Sequence, residues 1–266
     1  MLRAYVWLYL AFLFLPILMI TLFAFHATSA LSFPFEGFGL RWFREILGND
    51  RFIGALKNSV IVASATSVIT CLLGTFAALA FPRLSERPRA ALGFLGFAPI
   101  VLPGLFLGIA LLVLFERLGI FRSLVTVIIG HTLFCLPFFI ETVRTRVAYF
   151  DAELELAARD LGAGPFTTFR LVTLPILMPT LLAGTILVFA LSFDEIVITV
   201  FIIGDQSTLP FFILSMMRRT VNPTINAVSV LAMLLTLTML LVAGGILWMQ
   251  RRRAIQRRVS DKEIPQ

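Results

Sequence analysis

Residues 151–179 read DAELELAARDLGAGPFTTFRLVTLPILMP, a polar, helix-forming stretch in a chain otherwise too apolar for water. A segment of that kind, set between apolar runs, implies docking onto something. Hydrophobic residues occupy 59% of the 266 positions and charged residues 14%, so burying every apolar side chain in one aqueous core is implausible. The solvent is therefore largely lipid. A hydrocarbon slab needs roughly 20 apolar residues per helix, and six stretches supply them: 4–25, 60–81, 92–115, 124–140, 176–203 and 227–249. The expected fold class is an all-α membrane protein with six transmembrane helices, forming a single domain over 1–266. A transmembrane barrel needs alternating segments of about 10 residues, and continuous runs such as AFLFLPILMI at 11–20 contradict it.

The first stretch reads either as a cleavable leader or as a retained anchor, since Arg3 precedes it and small residues follow at 26–30. Its apolar run exceeds the roughly 7–15 residues of a cleavable core, which favours the anchor. Cys71 and Cys135 both fall within spans and read as small apolar side chains rather than a disulfide or metal pair. An even number of spans puts both termini on one side. With the amino terminus inside, 14 of the 22 basic residues lie in inner segments and 8 in outer loops. The positive-inside bias thus expects both termini and the 151–175 loop in the cytoplasm. The net charge of +7 sits mostly at membrane boundaries, so the partner it implies is anionic lipid headgroups and not nucleic acid. The tail RRRAIQRR at 251–258 reads as a stop-transfer anchor.

Between the first two spans, Leu40, Trp42, Phe43, Ile46 and Leu47 interleave with Arg41, Arg44 and Glu45. That pattern suits a short helix lying at the membrane interface or packed on the rim of the bundle. Pro99 and Pro103 interrupt the third span, which then faces protein or a cavity rather than lipid. Gly104 and Gly108 form a small-xxx-small pair that permits close helix contact, within the chain in preference to between chains. His131 is a lone ionisable group in the fourth span. With no intramembrane acid near it in sequence, it reads as a neutral, hydrogen-bonded residue in preference to a proton relay.

Within 151–179, Asp151 is a good N-cap and Glu153 places negative charge in a first helical turn. Residues 154–161 have strong helix propensity, and Glu155 with Arg159 has the favourable i,i+4 order. Gly162 supplies a left-handed stop, Ala163, Gly164 and Pro165 break the chain, and residues 166–174 form a second short helix before Pro175. The result is a helix–turn–helix hook. Ala157, Ala158 and Gly162 leave little side-chain bulk, so another protein's groove could approach the backbone. On these grounds alone, docking and packing under the chain's own bundle stand level.

The pattern resembles the "EAA" signature of permease subunits from ABC importers: Glu-Ala-Ala, three residues, Gly, nine residues, an aliphatic residue, one residue, Leu-Pro. Ala157, Ala158, Gly162, Val172, Leu174 and Pro175 fall at the matching positions, and Asp160 and Leu161 fit a common variant ending in Asp-Leu-Gly. One departure stands out. The signature glutamate falls at Leu156, while Glu155 stands one residue earlier, about 100° round a helix. Either Glu155 replaces it from a rotated position or Leu156 makes an apolar contact with the partner's groove. Further segments, ALKNSVIVA at 55–63, LPFFIETVRTRVAYFD at 136–151 and SFDEIVITVFI at 192–202, resemble the spermidine/putrescine-type branch, which also includes opine importers. The resemblance implies a type I importer permease fold with a cytoplasmic coupling helix, in a bacterial inner membrane, with the coupling residues at Glu155 to Ala158, Asp160, Gly162, Leu174 and Pro175.

No G-x-x-x-x-G-K-[ST] phosphate loop occurs, and Lys57 and Lys262 lie in no glycine-rich loop. The chain is expected to be a transport subunit without its own ATPase site or bound cofactor. The resemblance implies its partners: an ATPase dimer that uses ATP and Mg, a second, different permease completing the pore, and an outer solute-binding protein. Asp194 and Glu195 lie inside the fifth span, where each charge costs roughly 2.5–3.5 kcal/mol near the bilayer centre. They are expected either to attract a cation on the pathway, with Phe189 or Phe193 adding cation–π contact, or to pair with Arg218 or Arg219 nearer the outer interface. The pathway reading favours a polyamine. The competing functions are an ion-coupled secondary transporter using Asp194, Glu195 and His131, and a scaffold that recruits a cytoplasmic protein through the hook.

Overall fold

Five helices in the computed structural model are long and apolar enough to cross a membrane, among the residues described: Leu2–Ala24, Asp50–Arg83, Leu124–Ala148, Pro165–Asp194 and Pro223–Val242. The structure describes residues 2–29, 35–101, 103–151, 153–218 and 222–260. In chain order the elements are α1 (Leu2–Ala24), α2 (Arg41–Leu47), α3 (Asp50–Ala80, closed by a 3-10 turn at Phe81–Arg83), α4 (Glu86–Val101), α5 (Gly104–Arg117) and α6 (Leu124–Ala148). Then follow α7 (Glu153–Asp160), α8 (Pro165–Thr168), a π-turn at Phe169–Thr173, α9 (Leu174–Asp194), α10 (Thr199–Ile202), α11 (Leu209–Met217) and α12 (Pro223–Ser260).

The expected third span, 92–115, is two helices in series. Pro103 has φ −54° and ψ 137°, an extended backbone that no helix can pass through. At 1.5 Å per residue α4 and α5 are about 24 and 21 Å long, each short of a hydrocarbon core of about 30 Å. The second expected span starts ten residues early: Asn49 accepts hydrogen bonds at Oδ1 from the Arg51 and Phe52 amides (2.9 and 3.3 Å) and so begins α3 ahead of the apolar run. The fifth stops at Asp194 instead of 203, and the sixth continues to Ser260.

The chain divides into two compact units, Met1–Ser59 with Gln206–Met239, and Val60–Asp205 with Leu240–Gln266. In the first, Ala24, Trp42, Ala227 and Val230 form a buried cluster flanked by Phe25 and Phe43. The Trp42 indole N–H donates to the His26 carbonyl at 2.7 Å. Helix α2 thus packs Trp42 and Ile46 inward while Leu47, and Leu40 just ahead of the helix, stay exposed. The Ser59 hydroxyl accepts from the Leu209 amide at 2.8 Å, and the Asn58 amide donates to the Ser207 carbonyl at 2.9 Å. These bonds pin the start of α11 beside α3.

In the second unit α6 packs against α9 around Phe139, with Ala78, Cys135, Val143, Leu177, Leu181 and Val188. Phe139 and Cys135 are fully buried there, and both cysteines are free thiols. Gly108 of α5 lets α10 approach: a Cβ there would lie 2.6 Å from the Phe201 ring and 3.3 Å from the Ile198 backbone. The small-xxx-small pair is used for packing inside the chain.

Candidate functional site

Helix α7 begins where Asp151 Oδ1 accepts the Glu153 amide at 3.0 Å. It ends at Gly162, φ +85°, where the Ala163 amide reaches the Ala158 carbonyl (3.0 Å) and the Gly162 amide the Arg159 carbonyl (2.8 Å). That paired closure is the Schellman motif, and it needs a residue free to adopt positive φ. Both ends of the first helix of the hook therefore stand as its residues suggest.

The second helix of the hook departs from expectation. It starts at Pro165 but does not stop before Pro175; through the π-turn it joins α9 as one helix, Pro165–Asp194. A proline removes one amide donor and crowds the carbonyl four residues earlier. The wider π-turn just ahead of Pro175 makes room for that ring, so the helix absorbs it and continues. Leu174, half-buried, packs on its inner side against the α6–α9 core, while Pro175 is exposed.

Glu155 and Leu156 point in different directions. The Glu155 side chain is only 19% exposed; its Oε1 accepts the Thr173 hydroxyl at 2.7 Å, and its Oε2 lies 3.6 Å from the Arg83 guanidinium and 4.0 Å from that of Arg159. Leu156 is 56% exposed. Ala157, Asp160 and Gly162 are also exposed and Ala158 half-buried. Around them Leu161 of the Asp-Leu-Gly variant is exposed, as are Leu154 and Phe166, apolar residues that motif matching passes over. Their signal is visible in the sequence as isolated large apolar side chains in a polar helix–turn. Arg83 and Thr173 carry no such signal, because their partnership with Glu155 is non-local.

At the far end of the same helix the two acids separate. Asp194, the last residue of α9, is exposed. Glu195 is half-buried and turned onto its own backbone: Oε1 accepts the Ile198 amide at 3.0 Å, and its carbonyl accepts the Thr199 hydroxyl at 2.9 Å. Glu195 thus caps the turn into α10. Phe193 is buried and stacks on half-buried Phe189, centroids 6.0 Å apart and rings 16° from parallel. Among the described residues no ion pair involves either acid; Arg218 belongs to the other unit, and Arg219 lies outside the described residues.

His131 ties this turn to α6. It is buried, with Nδ1 2.8 Å from the Ser192 hydroxyl and Nε2 2.8 Å from the Thr199 hydroxyl. Because Thr199 already donates to the Glu195 carbonyl, it accepts from Nε2–H, which leaves Nδ1 to accept from Ser192. The expected hydrogen-bonded histidine is what the structure contains. Thr126 adds a second tie, its hydroxyl reaching the Ile202 carbonyl at 2.7 Å.

Residues 71–260 match the family described as "Binding-protein-dependent transport system inner membrane component". The chain is 33% identical over 258 residues to the putrescine transport system permease protein PotI of Escherichia coli (strain K12), covering 94% of this chain and 90% of that protein. It is also 33% identical over 234 residues to the spermidine/putrescine transport system permease protein PotC of the same organism, covering 88% of each. Among solved structures, a chain of a bacterial ABC transporter that imports the acidic polysaccharide alginate superposes with a TM-score of 0.74 at 14% identity, covering 93% of both chains. A chain of the MetNI methionine ABC transporter, in an inward-facing conformation, gives 0.58 at 18% identity over 76% of this chain and 98% of that one. The fold is that of ABC importer permeases.

Proposed function

Since the chain belongs to the family of binding-protein-dependent transport system inner membrane components, we propose that it forms half of the translocation pore of an ATP-driven importer of polyamines, putrescine or spermidine. The observation that carries this reading is the single helix Pro165–Asp194, 30 residues long, which runs from the hook to the acidic turn. At 1.5 Å per residue it is a lever about 45 Å long. A hook displaced by a partner shifts that turn with it, as rigid-body transport mechanisms require.

The hook lies in the cytoplasm together with both termini, and a pair of ATPase subunits docks on its exposed face. Leu156, Leu161 and Phe166 fill the ATPase groove, with Ala157, Ala158 and Gly162 allowing close backbone approach and Asp160 at the rim. Having no phosphate loop, the chain hydrolyses nothing; ATP and Mg act in the partner. A second, different permease completes the pore, and an outer binding protein delivers the solute. Asp194 then attracts the ammonium groups of the polyamine, and Glu195 holds the turn that presents Asp194.

The test is purification of the tagged chain from its native membrane. An ATPase should copurify, hydrolyse ATP faster when putrescine-loaded binding protein is added, and drive putrescine uptake in vesicles whose ion gradients have been collapsed. Uptake that needs an ion gradient and no ATPase would establish a secondary transporter. A copurifying protein with neither hydrolysis nor uptake would leave only a scaffold.

A further inference from the structure

The Glu155 carboxylate, 19% exposed beside the more exposed Arg83 and Arg159, joins three parts of one unit. Thr173, 2% exposed, donates to it at 2.7 Å from the π-turn that leads into α9. Arg83, from the turn that closes α3, stands 3.6 Å away. Arg159, one helical turn along α7, stands 4.0 Å away. Beneath these contacts the hook is poorly packed. A cavity of about 530 Å³ opens between Phe76, Leu79 and Leu84 on one side and Pro165 and Phe169 on the other. None of the residues of α7 is buried.

A helix lying over an open cleft, with no residue of its own buried, has few dispersion contacts to transmit displacement, so its polar ties must do so. A charge-assisted bond to a carboxylate is stronger than a neutral one, and the Thr173 bond is both short and buried. We infer that Glu155, with Thr173 and Arg83, is an internal clasp that makes the hook move together with α3 and α9, and that Glu155 is a positioning residue and not a contact to the ATPase. This inference rests on the importer reading above. It also accounts for the displaced acid in the signature: a carboxylate at 155 points inward, and one at 156 would point out.

The clasp has two separable bonds, and each has its own test in the full complex with ATPase, second permease and binding protein. Thr173→Val removes the hydroxyl at nearly constant volume, and Thr173→Ser retains it. Arg83→Glu and Glu155→Arg each replace the ion pair with a like-charge pair, and the two together restore opposite charges. The quantity measured is putrescine taken up per ATP hydrolysed. We expect Thr173→Val and both single reversals to lower it by about 3- to 30-fold, Thr173→Ser to preserve it, and the double reversal to exceed both singles while staying below wild type, because Arg at 155 cannot accept the Thr173 hydroxyl.

Limited chymotrypsin digestion of the full chain in detergent reads the same ties without substrate or ATPase. Cleavage at exposed Phe166 should be faster in each single variant and slower in the double than in either single, because local opening governs proteolysis. A double reversal no better than the singles in both measurements, or Thr173→Val equal to wild type, overturns the clasp. Failure of the wild-type complex to contain an ATPase or to take up putrescine sinks the importer reading instead, and the digestion still decides whether the clasp exists.

Discussion

Leu156 exposes more than half of its surface on the helical turn from which Glu155 faces inward, and this opposition decides what a partner meets. If the partner's groove is apolar, Leu156→Ala should weaken ATPase capture by about 1–2 kcal/mol, roughly 5- to 30-fold in affinity. Leu156→Glu should weaken it further, since a carboxylate forced into an apolar groove loses its hydration. Quantitative pull-down of the ATPase checks the ordering; tighter capture by the glutamate variant would reveal a basic groove instead. At His131 the prediction concerns stability. His131→Leu leaves the Ser192 hydroxyl without its acceptor and deprives Thr199 of a donor, a loss of about 1–3 kcal/mol, whereas His131→Gln retains one donor and one acceptor and should lose less. Thermal unfolding in detergent orders the two.

The elements around α10 are set by close approach. Helix α5 can lie against the turn only because Gly108 has no side chain where Phe201 and Ile198 sit. Gly108→Val should therefore overpack this contact and destabilise the fold by about 1–3 kcal/mol, measured as a lower yield of monodisperse protein, while Gly108→Ala, whose one methyl group still meets the Phe201 ring and the Ile198 backbone but adds no branches, should lose less. The lever helix follows a comparable rule. Its π-turn at Phe169–Thr173 lets Pro175 enter without a break, and the same turn presents Thr173 to Glu155. One irregularity thus serves continuity of the helix and attachment of the hook, which is why a proline reads as a stop in the sequence and as part of the lever in the fold.

Taken as a whole molecule, the chain sets the exposed apolar face of the hook at one end of the Pro165–Asp194 helix and an acidic turn at the other. The two acids at that turn should not contribute equally to transport. Asp194→Asn should lower the initial rate of uptake at limiting putrescine about two- to fivefold, the worth of one exposed charge pair, with complex assembly intact. Glu195→Gln keeps the oxygen that accepts the Ile198 amide and should change uptake less; unaltered uptake in the double variant would remove both acids from the pathway. Much of this organisation is legible in the residues themselves. Lipid as solvent, the positions of most spans, the caps of α7 and the signature in 151–175 depend on local hydrophobicity, charge and turn chemistry, and adjacent residues carry those properties. The split third span was half visible, since Pro103 is a local signal but its extended backbone is not. What only the tertiary structure decided is which way each side chain faces. Glu155 is claimed by Arg83 and Thr173, Phe193 is turned inward, and His131 joins Ser192 to Thr199. Such pairings bring together residues 18 to 72 positions apart, and no periodicity within a single helix encodes them.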